Sequence, residues 1–246
     1  MNKPQDFPES WHPKPDLLPG ISVDCVIFGF HDGQLKILLL EYKNTGLFAL
    51  PGGFVQKNED LDTAARRMLE DRTALSKIYL EQFYTFSTTS RRNDETHRTI
   101  ATASGRTLEA DHFIFNRFIS VGYYALVDFS TVVPTPDAIS DSCNWHDISS
   151  IPQLIFDHNL IVNKALDTLR FMLDSKLNGF NLLPPTFTMN ELQQLYETIL
   201  GKKLVRSNFQ RKMLSLGILQ RLDKKQTGAA NKAPYLYCFI KPQTTL

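Results

Sequence analysis

The chain has 246 residues, 42% of them hydrophobic and 11% aromatic, which is enough to bury a substantial core and to form two modest domains. Its net charge of +1 hides a division: from Gly201 onward ten Lys or Arg stand against one acid (+9), while the remaining 17 basic and 25 acidic residues give −8. No apolar run approaches membrane-spanning length, the opening MNKPQDFPESWHPKPD has no apolar signal core, and Cys25, Cys143 and Cys238 form no CxxC pair; these features argue against a membrane span and a zinc or redox centre and lead to the expectation of a cytoplasmic chain with reduced thiols.

Residues 1–16, with Pro4, Pro8, Pro13 and Pro15, read as an extended arm that Trp11 pins to the body. Ile21, Val23, Cys25 and Ile27 alternate with Ser22, Asp24 and Val26, the pattern of a half-buried strand, and His31-Asp32-Gly33 turns it into a second strand over Leu35 to Leu40. Leu50-Pro51-Gly52-Gly53 reads as a strand end and a tight turn, in a loop that ends near Phe54 to Asn58. Leu61, Ala64, Ala65, Met68 and Leu69 then recur at spacings of three and four, which predicts a helix from about Asp60 to Ala74.

Leu80 to Ser87 reads as a strand. The polar stretch from Thr88 to Asp111, with Arg91, Arg92, His97, Arg98 and Arg106, reads as a surface loop insertion. Phe113 to Phe129 is strongly β-prone and is expected to supply central strand structure as one strand or two. The segment from Asn144 to His158 leads into a helix whose apolar face is Leu160, Ile161, Ala165, Leu169, Met172 and Leu173, ending near Asn178-Gly179. His158 reads as a hydrogen-bonded junction residue rather than a ligand or catalyst.

Beyond Pro184-Pro185 the pattern changes. Thr188 and Glu191 stand in capping-box spacing ahead of Leu192, Leu195, Tyr196, Ile199 and Leu200, and Gly201 stops that helix. Ser207 with Gln210 suggests a second capping box, and Phe209, Met213 and Leu216 form a core stripe ending at Gly217. Ile218 to Leu222 and Tyr235 to Ile240 read as a hairpin tipped by Lys224, Lys225 and Lys232. Two helices and a lysine-tipped hairpin make a winged helix-turn-helix. Its candidate DNA contacts are Lys202, Lys203, Arg206, Ser207, Asn208, Gln210, Arg211 and Lys212, together with the three hairpin lysines. The expected domains are the arm (1–16), a first domain (17–158), a connecting helix (159–180) and the winged helix (181–246).

The stretch Leu50 to Leu75 resembles the Nudix box, with Gly53, Glu59, Arg67, Leu69 and Leu75 in register. The three glutamates that hold magnesium and supply base chemistry in that family are replaced here by Met68, Asp71 and Arg72, so a local charge of minus three becomes zero. The resemblance implies an α/β/α sandwich with a mixed sheet, and the substitutions imply no catalytic residue, no metal and no cofactor. The segments WHDISSIPQLIFDHNLI and FTMNELQQLYETILGKKLVRSNFQRKMLSLGIL are similar to the Nudix-related transcriptional regulators. That resemblance implies an effector-sensing first domain, a homodimer and a palindromic double-stranded DNA operator.

Within that family some members sense ADP-ribose and others a sugar such as arabinose. The chain lacks an Arg-Asp-Pro-Arg segment after the strand at Phe83 to Ser87, which leads to the expectation of a sugar such as a pentose before ADP-ribose. The implied ligand-binding residues are Gly52, Gly53, Glu59, Arg67 and Arg117. Two alternatives stand beside this reading. One is a metal-dependent pyrophosphohydrolase acting on a nucleoside diphosphate derivative, with Glu59, Glu70 and Asp71 holding magnesium. The other is RNA binding, disfavoured because the basic helix lacks interleaved aromatic platforms.

Overall fold

The computed structural model describes residues 17–76, 78–173, 182–225 and 233–240; the proline-rich arm, the expected helix end near Asn178-Gly179 and Lys232 of the hairpin tip lie outside the described residues. The first domain runs β1 (Leu17–His31), β2 (Gln34–Tyr42), β3 (Phe48–Ala49), β4 (Gly52–Gln56), α1 (Leu61–Thr73), β5 (Tyr79–Phe86), α2 (Asp94–Ala103), β6 (Ile119–Val127), β7 (Ser140–Asp147) and α3 (His158–Met172). Its seven strands form one sheet in the order β3-β2-β1-β6-β5, with β4 added to β1 and β7 to β2. β1 is the spine. It forms the predicted hairpin with β2, pairs antiparallel with β4 through Ser22 to Asp24, and runs parallel to β6 from Ile21 to Gly29, which makes the sheet mixed.

The strand expected to be half-buried is buried on both faces. Val23, Cys25 and Ile27 pack with Ala64, Ala65, Met68 and Leu69 of α1, while Val26 and Phe28 pack with Ile161, Val162 and Ala165 of α3. Period-two alternation therefore sorts residues between two helical layers rather than between core and water. The result is the expected α/β/α sandwich. α1 starts where Asp60 accepts from the Thr63 N–H (2.7 Å) and stops at Ala74, whose left-handed φ of 59° turns its N–H back to the Glu70 carbonyl. Burying Met68 and Leu69 contributes about 1.5–3 kcal/mol for each side chain.

Several expectations are corrected. Gly52 and Gly53 do not form a tight turn. They open β4, and neither has positive φ. The reason for Gly52 is space: a β-carbon there would sit 2.6 Å from both Asp24 Oδ1 and the Val23 carbonyl oxygen. The polar stretch from Thr88 to Asp111 is not a plain loop but carries α2, which Asn93 caps by accepting from the Thr96 N–H, with Ile100 and Ala101 buried. Ser140 to Asp147 forms an additional strand, and Phe113 to Phe129 forms a single β6 behind a short 3-10 turn at Phe113–Phe115. Leu160 is 54% exposed because Ile161 and Val162 occupy the inward side of that turn of α3.

The second domain comprises β8 (Phe187–Thr188), α4 (Met189–Leu200), α5 (Arg206–Ser215), β9 (Leu219–Lys224) and β10 (Tyr235–Phe239), with a three-stranded sheet ordered β8-β10-β9. Both arms of the Thr188–Glu191 capping box form, and α4 ends at Gly201 with φ of 66°. The second capping box does not form. α5 begins at Arg206 after Val205 as cap residue, which places Ser207 inside the helix. Phe209 and Met213 are buried, but α5 ends at Ser215 and Leu216 is 40% exposed. One core joins the domains: Leu35, Ile37 and Leu39 of β2, Leu169 of α3, Leu192 and Leu195 of α4 and Phe209 of α5 belong to a single buried cluster. Thr198 Oγ1 donates to the Gly33 carbonyl (2.9 Å) and Arg170 Nε to the Ile199 carbonyl (2.9 Å), pinning α4 to the β1–β2 turn and to α3.

Gly52→Ala is expected to destabilise the protein by about 1–3 kcal/mol, because the new methyl meets a backbone oxygen that has no rotamer to change. Urea denaturation checks this, with the midpoint falling at unchanged slope.

Candidate functional site

Asp24 projects from the central strand into the sandwich with only 7% of its surface exposed. A carboxylate there must be compensated. Ser120 of β6 donates its hydroxyl to Oδ2, Arg91 Nη2 stands 3.4 Å from the same oxygen, and His158 Nε2 lies 3.6 Å from Oδ1. Arg91, at the end of a 3-10 turn after β5, also reaches Asp157 Oδ1 (3.2 Å) and donates Nη1 to the Phe86 carbonyl (3.3 Å). The Leu50 N–H donates to His158 Nδ1 (3.0 Å), so the neutral ring carries its proton on the Nε2 that faces Asp24. Burial lowers the His158 pKa, and the nearby Asp24 and Asp157 only partly oppose it.

This network forms one wall of a cavity of about 120 Å³, which Tyr42, Arg92, His97, Phe54, Phe118 and Phe156 also line. Burial pushes the His97 pKa down to about 4. Phe156 has a left-handed φ of 50°, unusual for a bulky residue. The volume is smaller than the roughly 300–1,000 Å³ that encloses a whole drug-sized ligand. An adjoining depression of about 630 Å³ shares Arg91, Arg92, Ile155 and Phe156 with it, so the two arginines stand where the spaces meet.

Of the ligand-binding candidates, Gly52 and Gly53 line the cavity, while Glu59, Arg67 and Arg117 do not. Arg67 holds Glu59 through Nη2 (2.5 Å) and Nε (3.1 Å) and donates to the Phe54 carbonyl (3.2 Å), which braces the turn between β4 and α1. Burial pushes the Glu59 carboxyl up, but hydrogen bonds from Arg67 and the Gln56 N–H outweigh it and hold the pKa below the usual range. Arg117 is exposed, and its neighbours Asn116 and Phe118 reach the cavity instead. Asp24, Arg91 and His158 were missed as site residues. The available signals were an acid within an apolar strand and an Arg-Arg pair a few residues beyond one.

The Nudix-box substitutions have structural occupations. Met68 is 4% exposed, and its Cε would stand 3.1 Å from a β-carbon at Gly53. Arg72 pairs with Asp137 (3.5 Å), another cavity residue, and donates to the Thr135 carbonyl (3.4 Å). Glu70 and Asp71 are exposed. Among the described residues no group of three or more His, Cys, Asp or Glu is placed to hold a metal ion.

In the second domain, Arg206, Ser207, Asn208, Arg211 and Lys212 are exposed along α5 and Gln210 is half-buried, with Arg211 Nη2 donating to Asn208 Oδ1 (3.2 Å). Lys202 and Lys203 lie exposed in the turn before α5. That turn is organised by Glu197, which accepts from Gln193 Nε2, the Leu204 N–H and Lys203 Nζ (2.9 Å) and whose pKa these bonds pull down to about 2. Lys224 and Arg221 approach the Tyr235 ring on the hairpin, and Lys225 pairs with Glu191 (3.3 Å). Among the described residues no helix is long and apolar enough to cross a membrane.

A mixed-sheet sandwich with a cavity at its central strand, joined through one core to a basic winged helix, defines a ligand-binding domain coupled to a DNA-binding domain. Residues 18–163 match the family model for the NUDIX domain and residues 179–239 that for the NrtR DNA-binding winged helix domain. The ADPR responsive transcriptional repressor NtrR of Acinetobacter baylyi is 30% identical over 90% of this chain and 82% of its own. Structures of Shewanella oneidensis NrtR match with and without DNA. The complex with a 27mer DNA is 28% identical, with TM-score 0.70 over 89% of this chain and 93% of that one. The structure without DNA is 29% identical, with TM-score 0.68 over 90% and 94%. The chain belongs to the Nudix-related transcriptional regulator family: it is a DNA-binding regulator with a Nudix ligand-binding domain.

Two acid-side outcomes follow. The unfolded chain takes up a proton on His97 near pH 6.5 whereas the folded chain resists until about pH 4, so stability is expected to fall across that window, and His97→Asn should flatten the fall in a series of melting curves. The Glu197 contribution has the opposite origin. It is complete above about pH 4.5 and lost as pH falls toward about 2, so Glu197→Gln should lower Tm at pH 7 and cost progressively less in acid.

Proposed function

We propose that this regulator senses ADP-ribose without hydrolysing it and binds a palindromic operator as a homodimer. The observation that carries the reading is the pair Arg91 and Arg92 at the junction of the cavity and the adjoining depression. A ligand spanning both spaces would pass its middle between two guanidiniums, and ADP-ribose has a diphosphate at its middle. The 30% identical relative, which is ADPR responsive, supports the same effector. A sugar effector, favoured by the missing Arg-Asp-Pro-Arg segment, has no such support. In place of that segment Arg91 and Arg92 set two guanidiniums after β5, Arg91 facing Asp24 and Asp157 and Arg92 held by Asp94 at 2.7 Å.

The non-hydrolytic reading rests on Met68, which fills core, and on Arg72, which places positive charge where magnesium would need oxygen ligands. For the operator, α5 offers Arg206, Asn208, Gln210, Arg211 and Lys212, and the turn before it adds Lys202 and Lys203. Lys224, exposed on the hairpin, would reach the flanking backbone, and the proposed division makes residues 159–180, most of α3 included, the connector between 17–158 and 181–246.

The test is fluorescence anisotropy with DNA from the chain's own promoter region, with and without ADP-ribose. ADP-ribose is expected to change the operator Kd by about 5-fold or more, whereas pentoses leave it unchanged. Arg211→Ala with Lys212→Ala should weaken binding and lower the slope of log K against log salt by about 1–2. Incubation with ADP-ribose and magnesium should give no turnover; turnover that Glu59→Gln abolishes would establish the hydrolase instead.

A further inference from the structure

We infer that Arg91 and Asp157 form the switch that reports occupancy of the cavity to the winged helix; the inference rests on the ADP-ribose reading for its ligand. The Arg91 side chain is 7% exposed, and a single nitrogen, Nη2, is shared between Asp24 Oδ2 at 3.4 Å and Asp157 Oδ1 at 3.2 Å. Both distances are long for a charge-assisted contact, where about 2.7–2.9 Å is usual. A guanidinium divided in this way is open to competition from a stronger anion.

Asp157 is the residue that such competition would release. It is the N-cap of α3, yet its side chain makes no capping hydrogen bond. An aspartate at that position ordinarily accepts from the N–H groups of the first helical turn. Here the carboxylate faces Arg91 as an ion pair, with its buried Oδ1 accepting no hydrogen bond, while the Ile161 N–H makes the ordinary first intrahelical bond to the Asp157 carbonyl. The side chain therefore has two discrete occupations, a bridge to Arg91 or a cap on α3, and the cavity controls which is available.

The residue before it makes a hinge. Phe156 lines the cavity with φ of 50°, a conformation that costs a bulky residue free energy and persists only while its surroundings hold it. The far end of α3 is coupled to the DNA-binding domain through the bond from Arg170 to the Ile199 carbonyl and through Leu169, which shares a core with Leu192, Leu195 and Tyr196. An anion that draws Arg91 toward the cavity frees Asp157 to cap α3, relaxes Phe156 and shifts the helix that carries the winged helix. The anion requirement is a diphosphate or an equivalent doubly charged group.

Asp157→Asn tests this, because it keeps the shape and removes the competing charge. ADP-ribose is expected to bind the variant about 3-fold or more tighter than the parent by calorimetry, whereas structural damage would weaken it. Without ligand, the operator affinity of the variant should lie displaced toward the liganded value of the parent, and ADP-ribose should change it less than 3-fold further. Arg91→Lys, which keeps one charge but loses the fork, should likewise shrink the ratio of operator affinities with and without ligand. In the unaltered protein, hydrogen exchange at amides 157–162 should change when ADP-ribose is added. An Asp157→Asn protein whose operator affinity and ligand response match the parent overturns the switch, and so does unchanged exchange over that turn in protein shown to be saturated. If the parent binds no ADP-ribose at all, the effector reading falls. The switch then stands or falls on whether Asp157→Asn moves the operator affinity of the ligand-free protein.

Discussion

A carboxylate buried on the central strand sets the terms for everything around it. Asp24 sits where the sheet is covered on both faces, and each element near it is constrained by that charge. β4 can pass beside it only because position 52 has no β-carbon. β6 brings a serine within hydrogen-bond reach of it, the segment after β5 brings an arginine, and α3 begins with a histidine whose other nitrogen is already spent on the Leu50 amide. Removing one partner from such a group typically costs about 3–5 kcal/mol, so the network holds the first domain together while it lines the cavity.

The helix that resembles a catalytic element has become part of that scaffold. Met68 continues the apolar inner face of α1 and presses toward Gly53, and Arg72 ties the helix end to Asp137 on the cavity wall. Glu59 and Arg67 satisfy each other and hold the preceding turn. The residues in Nudix register shape this region: Glu59 and Arg67 hold the loop, and Leu69 packs in the core beneath it.

Among the described residues the two domains are joined by a shared core. A single apolar cluster runs from β2 through α3 and α4 into α5, so a displacement at the start of α3 is carried as a shift of packed elements. Close packing makes such a contact bistable rather than elastic, which is the property the proposed switch at Asp157 requires.

The local grammar of the chain was legible in its sequence. The β1–β2 hairpin, α1 with its Asp60 start, the Thr188–Glu191 box, the Gly201 stop and the two strands of the wing depend on neighbours within a few residues, and periodicity and capping chemistry encode them directly. The imbalance of charge between the domains is likewise a property of the chain itself. What tertiary structure alone decided was which residues meet. Asp24, Arg91, Ser120 and His158 are up to 134 residues apart and converge only because β1 and β6 pair in parallel and α3 starts beside them. The same holds for α2, whose few buried residues sit in a polar stretch, and for β7, whose strand exists because β2 offers an edge to pair with. Distances along a chain carry no record of such meetings, because pairing across the sheet is fixed by the burial of whole faces rather than by any short stretch of sequence.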